Sequence, residues 1–263
     1  MNARTLNTPI ALPSARRLLR AYLEEIRCEA LRLLRNRGLA FPTLVMPVAL
    51  YALIALLVAG EATATDPDTA VFLFSAFSVM AISMPALFGI GTSLAMEREM
   101  GMLRLKRAQP APAASWLVAK IACGICFGVL AYVPIPVVAL ASGRVPLEPL
   151  PLLAMSATLV AGAVPFCAMG LMIGTLFRGS AAPGYANLVY LPGCYLSGLF
   201  FPLPQSLHWQ APAWPQFHVN QLAMHAAGVE KFQFVSVQMA IAGAAGFTVL
   251  FSAVAIWRLA RKG

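Results

Sequence analysis

Glu97-Arg98-Glu99-Met100-Gly101-Met102-Leu103-Arg104-Leu105-Lys106-Arg107 lies between two apolar runs, about Ala70–Met96 and about Trp116–Ala141. Each run is long enough to cross a bilayer, because ~30 Å of hydrocarbon takes roughly 20 residues at the helical rise. Charges at this density are costly inside hydrocarbon. The stretch is therefore expected in water on one side of a membrane, joining two spans. A compact amphipathic loop in that place is a handle on which a cytoplasmic partner can push.

The composition agrees. The chain is 60% hydrophobic and only 11% charged, with a mean hydropathy of +0.76. Soluble domains carry roughly 25% charged residues, so a water-soluble globule is excluded. At 263 residues the chain has room for several spans and short loops, but not for a large domain outside the membrane. We divide it into a cytoplasmic segment, 1–38, and a transmembrane domain, 39–263.

Six apolar runs read as transmembrane helices, making the fold class an all-α membrane protein. They are about Leu39–Ala59, Ala70–Met96, Trp116–Ala141, Leu150–Phe177, Pro183–Phe201 and Phe234–Trp257. Pro47, Pro85, Pro134, Pro136, Pro165 and Pro192 lie inside them, which predicts kinked helices packed against neighbours. With six spans both ends share a side. That side collects the arginines before the first span, Arg98, Arg104, Lys106, Arg107 and Lys120 around the charged loop, Arg178, and Arg258, Arg261 and Lys262. The other side has Arg144 and Lys231 against Glu61, Asp66, Asp68, Glu148 and Glu230. The basic excess marks the cytoplasmic side, so both termini are expected there. It also accounts for the net charge of +9 without nucleic-acid binding. The basic, polar first residues do not read as a cleavable signal peptide, so the first span is expected to act as the insertion signal.

Before the first span, about Ala15–Arg37 has apolar residues at helical spacing: Leu18, Leu19, Tyr22, Leu23, Ile26, Ala30, Leu33 and Leu34. Arg20, Glu24 and Arg27, and then Glu29 and Arg32, are spaced to pair along the polar face. Such a helix is expected to lie among membrane lipid headgroups, with Gly38 ending it. The last outer segment, about 202–231, is too rich in proline for a span and too aromatic for a solvated loop. Trp209 and Trp214 suit the membrane interface, and two short re-entrant or interface-lying helices are expected.

Motifs of catalysis are missing. The sequence has no G-x-x-x-x-G-K-[ST] phosphate loop, G-x-S-x-G elbow or H-E-x-x-H pair. The five cysteines form no disulfide framework, and Cys123-Gly-Ile-Cys126 sits in an apolar run with no second pair. His208, His218 and His225 are expected to bond to backbone or headgroups, since a metal site would want more ligands than Glu230 alone. Within the spans almost nothing is charged. Lys120 lies near the end of one, where its stem can snorkel outward. A proton relay is not expected, so the driving force must come from elsewhere.

The run Glu97–Pro110 and the run Leu196-Ser-Gly198-Leu-Phe-Phe201-Pro202-Leu-Pro204 resemble the membrane subunits of bacterial type 2 ABC exporters. The resemblance covers nearly the whole chain. It implies that Glu97, Arg98, Glu99, Gly101, Leu103 and Arg104, in a loop spanning about 97–114, form a coupling helix docking into a cytoplasmic P-loop ATPase. It implies that Gly198, Pro202 and Pro204 turn the chain into outer re-entrant helices. It further implies a permease of the bacterial inner membrane with no enzymatic activity of its own. ATP and magnesium would be bound by the partner, and no cofactor by this chain. A second copy or a related permease would complete the path. The apolar spans favour a hydrophobic or amphipathic cargo such as a lipid, drug or natural product. An intramembrane lipid-modifying enzyme and a non-transporting scaffold are the rival readings.

Overall fold

The computed structural model describes residues 15–108, 115–143, 145 and 147–262, without the side chains of Ala15, Leu39, Arg104, Arg107 and Lys262. Residues 109–114 of the expected coupling loop, and the Arg104 side chain, lie outside the described residues. The elements are helical, in this order. α1 is Ala15–Arg35. The next helix opens at Arg37, and its apolar part, α2, is Ala40–Val58. The short α3 is Gly60–Thr65, and α4 is Pro67–Glu99. The charged loop forms α5, Met102–Ala108. Then follow α6, Ser115–Ser142, and α7, Pro149–Leu176. α8 is Ala182–Leu196, α9 is Pro215–Ala227, and α10 is Val237–Arg261.

Five of these helices, α2, α4, α6, α7 and α10, are long and apolar enough to cross a membrane. The expected fifth crossing, Pro183–Phe201, is a helix of only 15 residues, α8. That gives about 22 Å of rise against the ~30 Å of a hydrocarbon core. It stops because Gly198 adopts a left-handed turn, φ +71°. The Leu199 amide then donates to the Cys194 carbonyl at 3.0 Å and the Gly198 amide to Tyr195 at 3.1 Å. This pair of bonds satisfies carbonyls that the helix end would leave bare.

α4 is the axis of the bundle. Its apolar window is wholly buried, against 11% for that of α10. The contrast explains the all-round apolar sequence of α4, which has no exposed face to make polar. α6, α7, α8 and α9 all pack on it. Pro85, which cannot donate to the preceding turn, opens a π-helical segment, Pro85–Gly89, within α4. One close approach needs glycine. α7 crosses α4 at Gly91, Gly170 and Gly174, where a Cβ on Gly170 would sit 2.7 Å from the Ala86 carbonyl oxygen and one on Gly174 2.8 Å from that of Gly91. Small residues at such crossings let dispersion and backbone contacts replace the hydrophobic drive that lipid removes. Buried hydroxyls tie the remaining helices: Ser83 with Tyr190, Tyr132 with Ser156, and Ser75 with Asn220, each at 2.6 Å.

The helix path beside α4 can be followed by contacts. Gly179 packs on Met96 and Glu99. Phe200 lies beside Phe77, with ring centroids 6.1 Å apart. The stretch holding α8 thus runs back along α4 from its Glu99 end. At the other end Lys231, shortly before α10, pairs with Asp66 at the start of α4. Arg258, near the end of α10, lies within electrostatic reach of Arg98 near the end of α4.

α1 breaks at Asn36 (φ −82°, ψ 76°), where its amide still bonds to Arg32 and Leu33. Gly38, expected to end the helix, lies inside the next one. Ile26, Ala30 and Leu33 pack with Cys123 and Phe127 of α6, whereas Leu19, Leu23 and Leu34 remain exposed. The apolar stripe of α1 is therefore divided between the bundle and the outside.

Candidate functional site

The charged island does not lie wholly in water. Glu97 is 0% exposed, the last turn of α4 carrying it into the protein. Lys120 is 1% exposed and reaches inward from the first turns of α6, rather than snorkelling out. Its ammonium donates to Glu29 Oε1 at 2.7 Å, to Ser93 Oγ at 3.0 Å and to Glu97 Oε1 at 3.1 Å. Arg32 of α1 donates to the same Glu97 oxygen and stands 4.0 Å from Glu29. Lys106 of α5 lies 3.5 Å from Glu25 and 3.9 Å from Glu97. Three carboxylates thus face three cations drawn from α1, α4, α5 and α6.

Charge balance is what makes this burial tolerable. An isolated ion in such a place would be severely penalised, and a pair survives only with good geometry and further hydrogen bonds. Lys120 uses three donors on three acceptors. Glu97 Oε1 accepts hydrogen bonds from two cations, Arg32 and Lys120, with Lys106 3.9 Å away, while its Oε2 is buried with no partner among the described residues. The cluster ties α1 to the start of α5, so the N-terminal helix and the charged loop are held to α4 and α6 as one body.

The other residues expected to couple divide between inside and outside. Arg98 donates to the Gly174 carbonyl of α7 at 2.8 Å. Leu103 is buried in the main core, 5% exposed. It was expected on a docking face but packs inside the chain. Gly101 is the turn itself, at φ +71°, a conformation that α4 needs to hand over to α5. Glu99, Met100, Met102 and Leu105 remain exposed. On α1, Arg27 and Glu24 pair at 3.6 Å with both side chains largely exposed. Arg20 is exposed one turn earlier.

Sequence reading missed Glu29, Ser93 and Lys120 as one site. The available signal was Lys120 itself, a lysine inside an apolar run with five glutamates (Glu24, Glu25, Glu29, Glu97, Glu99) assigned to the same membrane side.

Past Gly198, Pro202 and Pro204 lead into a 3-10 helix, Gln205–Ala213. Trp209 is exposed, and the Trp214 indole donates to Gln210 at 3.1 Å. α9 is buried from Pro215 to Gln221 against α4, α7 and α10. Gln221 clamps the returning chain, donating to the Phe232 carbonyl at 2.9 Å and accepting from the Phe234 amide at 2.7 Å. The three histidines each bond a backbone carbonyl: His208 to Leu203, His218 to Pro212 and His225 to Val235. Among the described residues no three His, Cys, Asp or Glu converge as a metal site, and all five cysteines are free thiols.

Comparison with known proteins fits this architecture. Residues 25–227 match the family described as ABC-2 type transporter. Over 195 residues the chain is 26% identical to a protein of Bacillus subtilis (strain 168) named "Putative transport permease YvfS", an alignment covering 72% of this chain and 78% of that one. The matched stretch runs from the α1 half of the ion cluster, through the central α4 and the charged turn, to the end of α9. A helical, multi-pass bundle matched over most of its length is a transporter permease, and the chain belongs to the ABC-2 type transporter family.

Proposed function

We propose that this chain is the permease subunit of an ATP-driven exporter in the bacterial inner membrane. A separate cytoplasmic P-loop ATPase supplies the hydrolysis, and a second copy or a related permease completes the path. The observation that carries this reading is the buried ion cluster. It joins α1 and the α4–α5 turn to the bundle, so a push on the exposed Met100, Met102 and Leu105 is passed to α1, α4 and α6 together. Apolar side chains on a short charged helix suit a partner's groove, with the charges fixing register.

A sixth crossing by α8 is supported by parity. Asp66 meets Lys231 and Arg258 lies within electrostatic reach of Arg98, so α4 and α10 run parallel. An even number of steps then separates them, and the α8 stretch makes the count even. With it, both termini lie on the basic, cytoplasmic side, α1 lies along the headgroups through Leu19 and Leu23, and α9 enters from outside as a re-entrant helix. Dimerisation is supported by the outward side of α8, where Asn187 is exposed among Leu188 and Leu191. A polar amide on an apolar helix gains from a partner helix. A hydrophobic or amphipathic cargo is supported by a cleft of about 560 Å³ between α7, α9 and α10. The polar atoms of Thr158, His225 and Thr248 along it already bond to Ala154, Val235 and Ala244, which leaves an apolar surface.

The test is purification of the tagged chain from its host in mild detergent, with mass spectrometry and an ATPase assay. A near-stoichiometric P-loop ATPase is expected with the native chain. It is lost with Leu105→Asp, an exposed site, while the variant stays inserted and folded. A pure chain with no nucleotide-binding partner under any extraction condition would end this reading.

A further inference from the structure

A second polar site lies at the same end of the bundle, on the other side of the α4 terminus from the ion cluster. Ala95, Arg98, Glu99, Phe177 and Arg178 line a cavity of about 330 Å³. Arg98 is held in place by its bond to the Gly174 carbonyl, and a guanidinium has donors to spare after one such bond. Phe177 is stacked on Tyr185 at 3.9 Å and forms a rigid apolar wall. The Arg178 side chain is exposed and has no hydrogen bond or ion pair among the described residues. Arg258, near the end of α10, lies within electrostatic reach of Arg98, and its Nε is buried with no hydrogen-bond partner among the described residues. Two guanidiniums, Arg98 and Arg178, therefore line the cavity with one carboxylate, Glu99. The ion cluster is charge-balanced within the chain, whereas this site is not.

We propose that the cavity lined by Arg98 and Arg178 binds a phosphate group. The planar fork of arginine matches phosphate oxygens bidentately, and an anion here balances the excess of cations over Glu99 along the cavity. α4 and α7, both long enough to span a bilayer, end at this cavity, so the headgroup of an anionic phospholipid is the nearest source. Free phosphate is the other. The inference rests on these residues and not on the ATPase reading, and it is tested on the chain alone.

The intact chain is placed in phosphatidylcholine nanodiscs. Phosphatidylglycerol is titrated into one series and inorganic phosphate into another. Retained lipid is measured by native mass spectrometry and the unfolding temperature by fluorescence. One retained phosphatidylglycerol per chain is expected, with retention falling roughly tenfold in Arg178→Gln and in Arg98→Gln, the scale of one charge-assisted contact. Arg17→Gln, an exposed arginine on α1, should leave it unchanged. Stabilisation by phosphatidylglycerol alone assigns the site to lipid, and stabilisation by inorganic phosphate as well assigns it to the free anion. The proposal fails if both site variants bind like the native chain, or if Arg17→Gln weakens retention as much as they do.

Discussion

Lys120→Met tests the ion cluster directly. Methionine keeps the volume and the apolar stem but removes the ammonium that touches Glu29 at 2.7 Å and Glu97 at 3.1 Å. At an effective dielectric of 20 each contact carries about 5–6 kcal/mol of attraction. Desolvation and repulsion from Arg32 and Lys106 cancel most of it. What the variant leaves matters more: two buried carboxylates, each short of a cation. Breaking a buried pair from one side costs roughly 3–5 kcal/mol, which lowers the unfolding midpoint of a chain this size by roughly 10 °C. Lys120→Met combined with Glu97→Gln removes one charge of each sign, so most of that loss should return. The assay is unfolding of the purified variants in one detergent, followed by tryptophan fluorescence. A single variant within about 1 °C of the native midpoint, or a double variant as unstable as the two single losses added together, would refute the view that the cluster is a balanced buried network.

Three further outcomes follow from other sites. Gly174→Val drives a branched side chain into the Gly91 carbonyl and Leu94, and overpacking of this kind typically costs 1–3 kcal/mol or more; a native-like unfolding midpoint would contradict the close crossing of α4 and α7. The Asp66 carboxyl is held down to about 2, from an ordinary 3.8, by its hydrogen bond from Lys231 and then that from Thr69. Its stabilising effect is complete above pH 3.8 and is lost as the pH falls through about 2, so native and Lys231→Gln chains should converge in stability between those values; parallel profiles would disprove the pairing. Gly101→Ala forces a side chain into a left-handed turn and should cost about 1 kcal/mol, with an unchanged midpoint telling against the tight turn between α4 and α5.

Much of the architecture was legible because membrane helices advertise themselves. A run such as Ala70–Met96 can be satisfied only by burial or lipid, and its length reports a crossing without any knowledge of neighbours. The same logic does not fix the length of α8, since Pro183–Phe201 is apolar enough to span but Gly198 turns the chain after a helix of only 15 residues. It misjudged Glu97 and Lys120. Hydropathy treats each charge alone, whereas their burial is permitted by one another and by Glu29 and Arg32 from a helix more than sixty residues earlier. Leu103 carried no mark that separates a docking side chain from a core one.

The sequence by itself determined that this chain is a helical membrane protein, where most of its long helices run, and how unevenly its basic residues fall between them. Those are properties of single segments against solvent or lipid, and composition with period is enough to read them. The tertiary structure alone decided which charges are internal and which are left exposed. That depends on the distances between groups on different helices, where a few ångströms turn a prohibitive buried charge into half of a neutral pair.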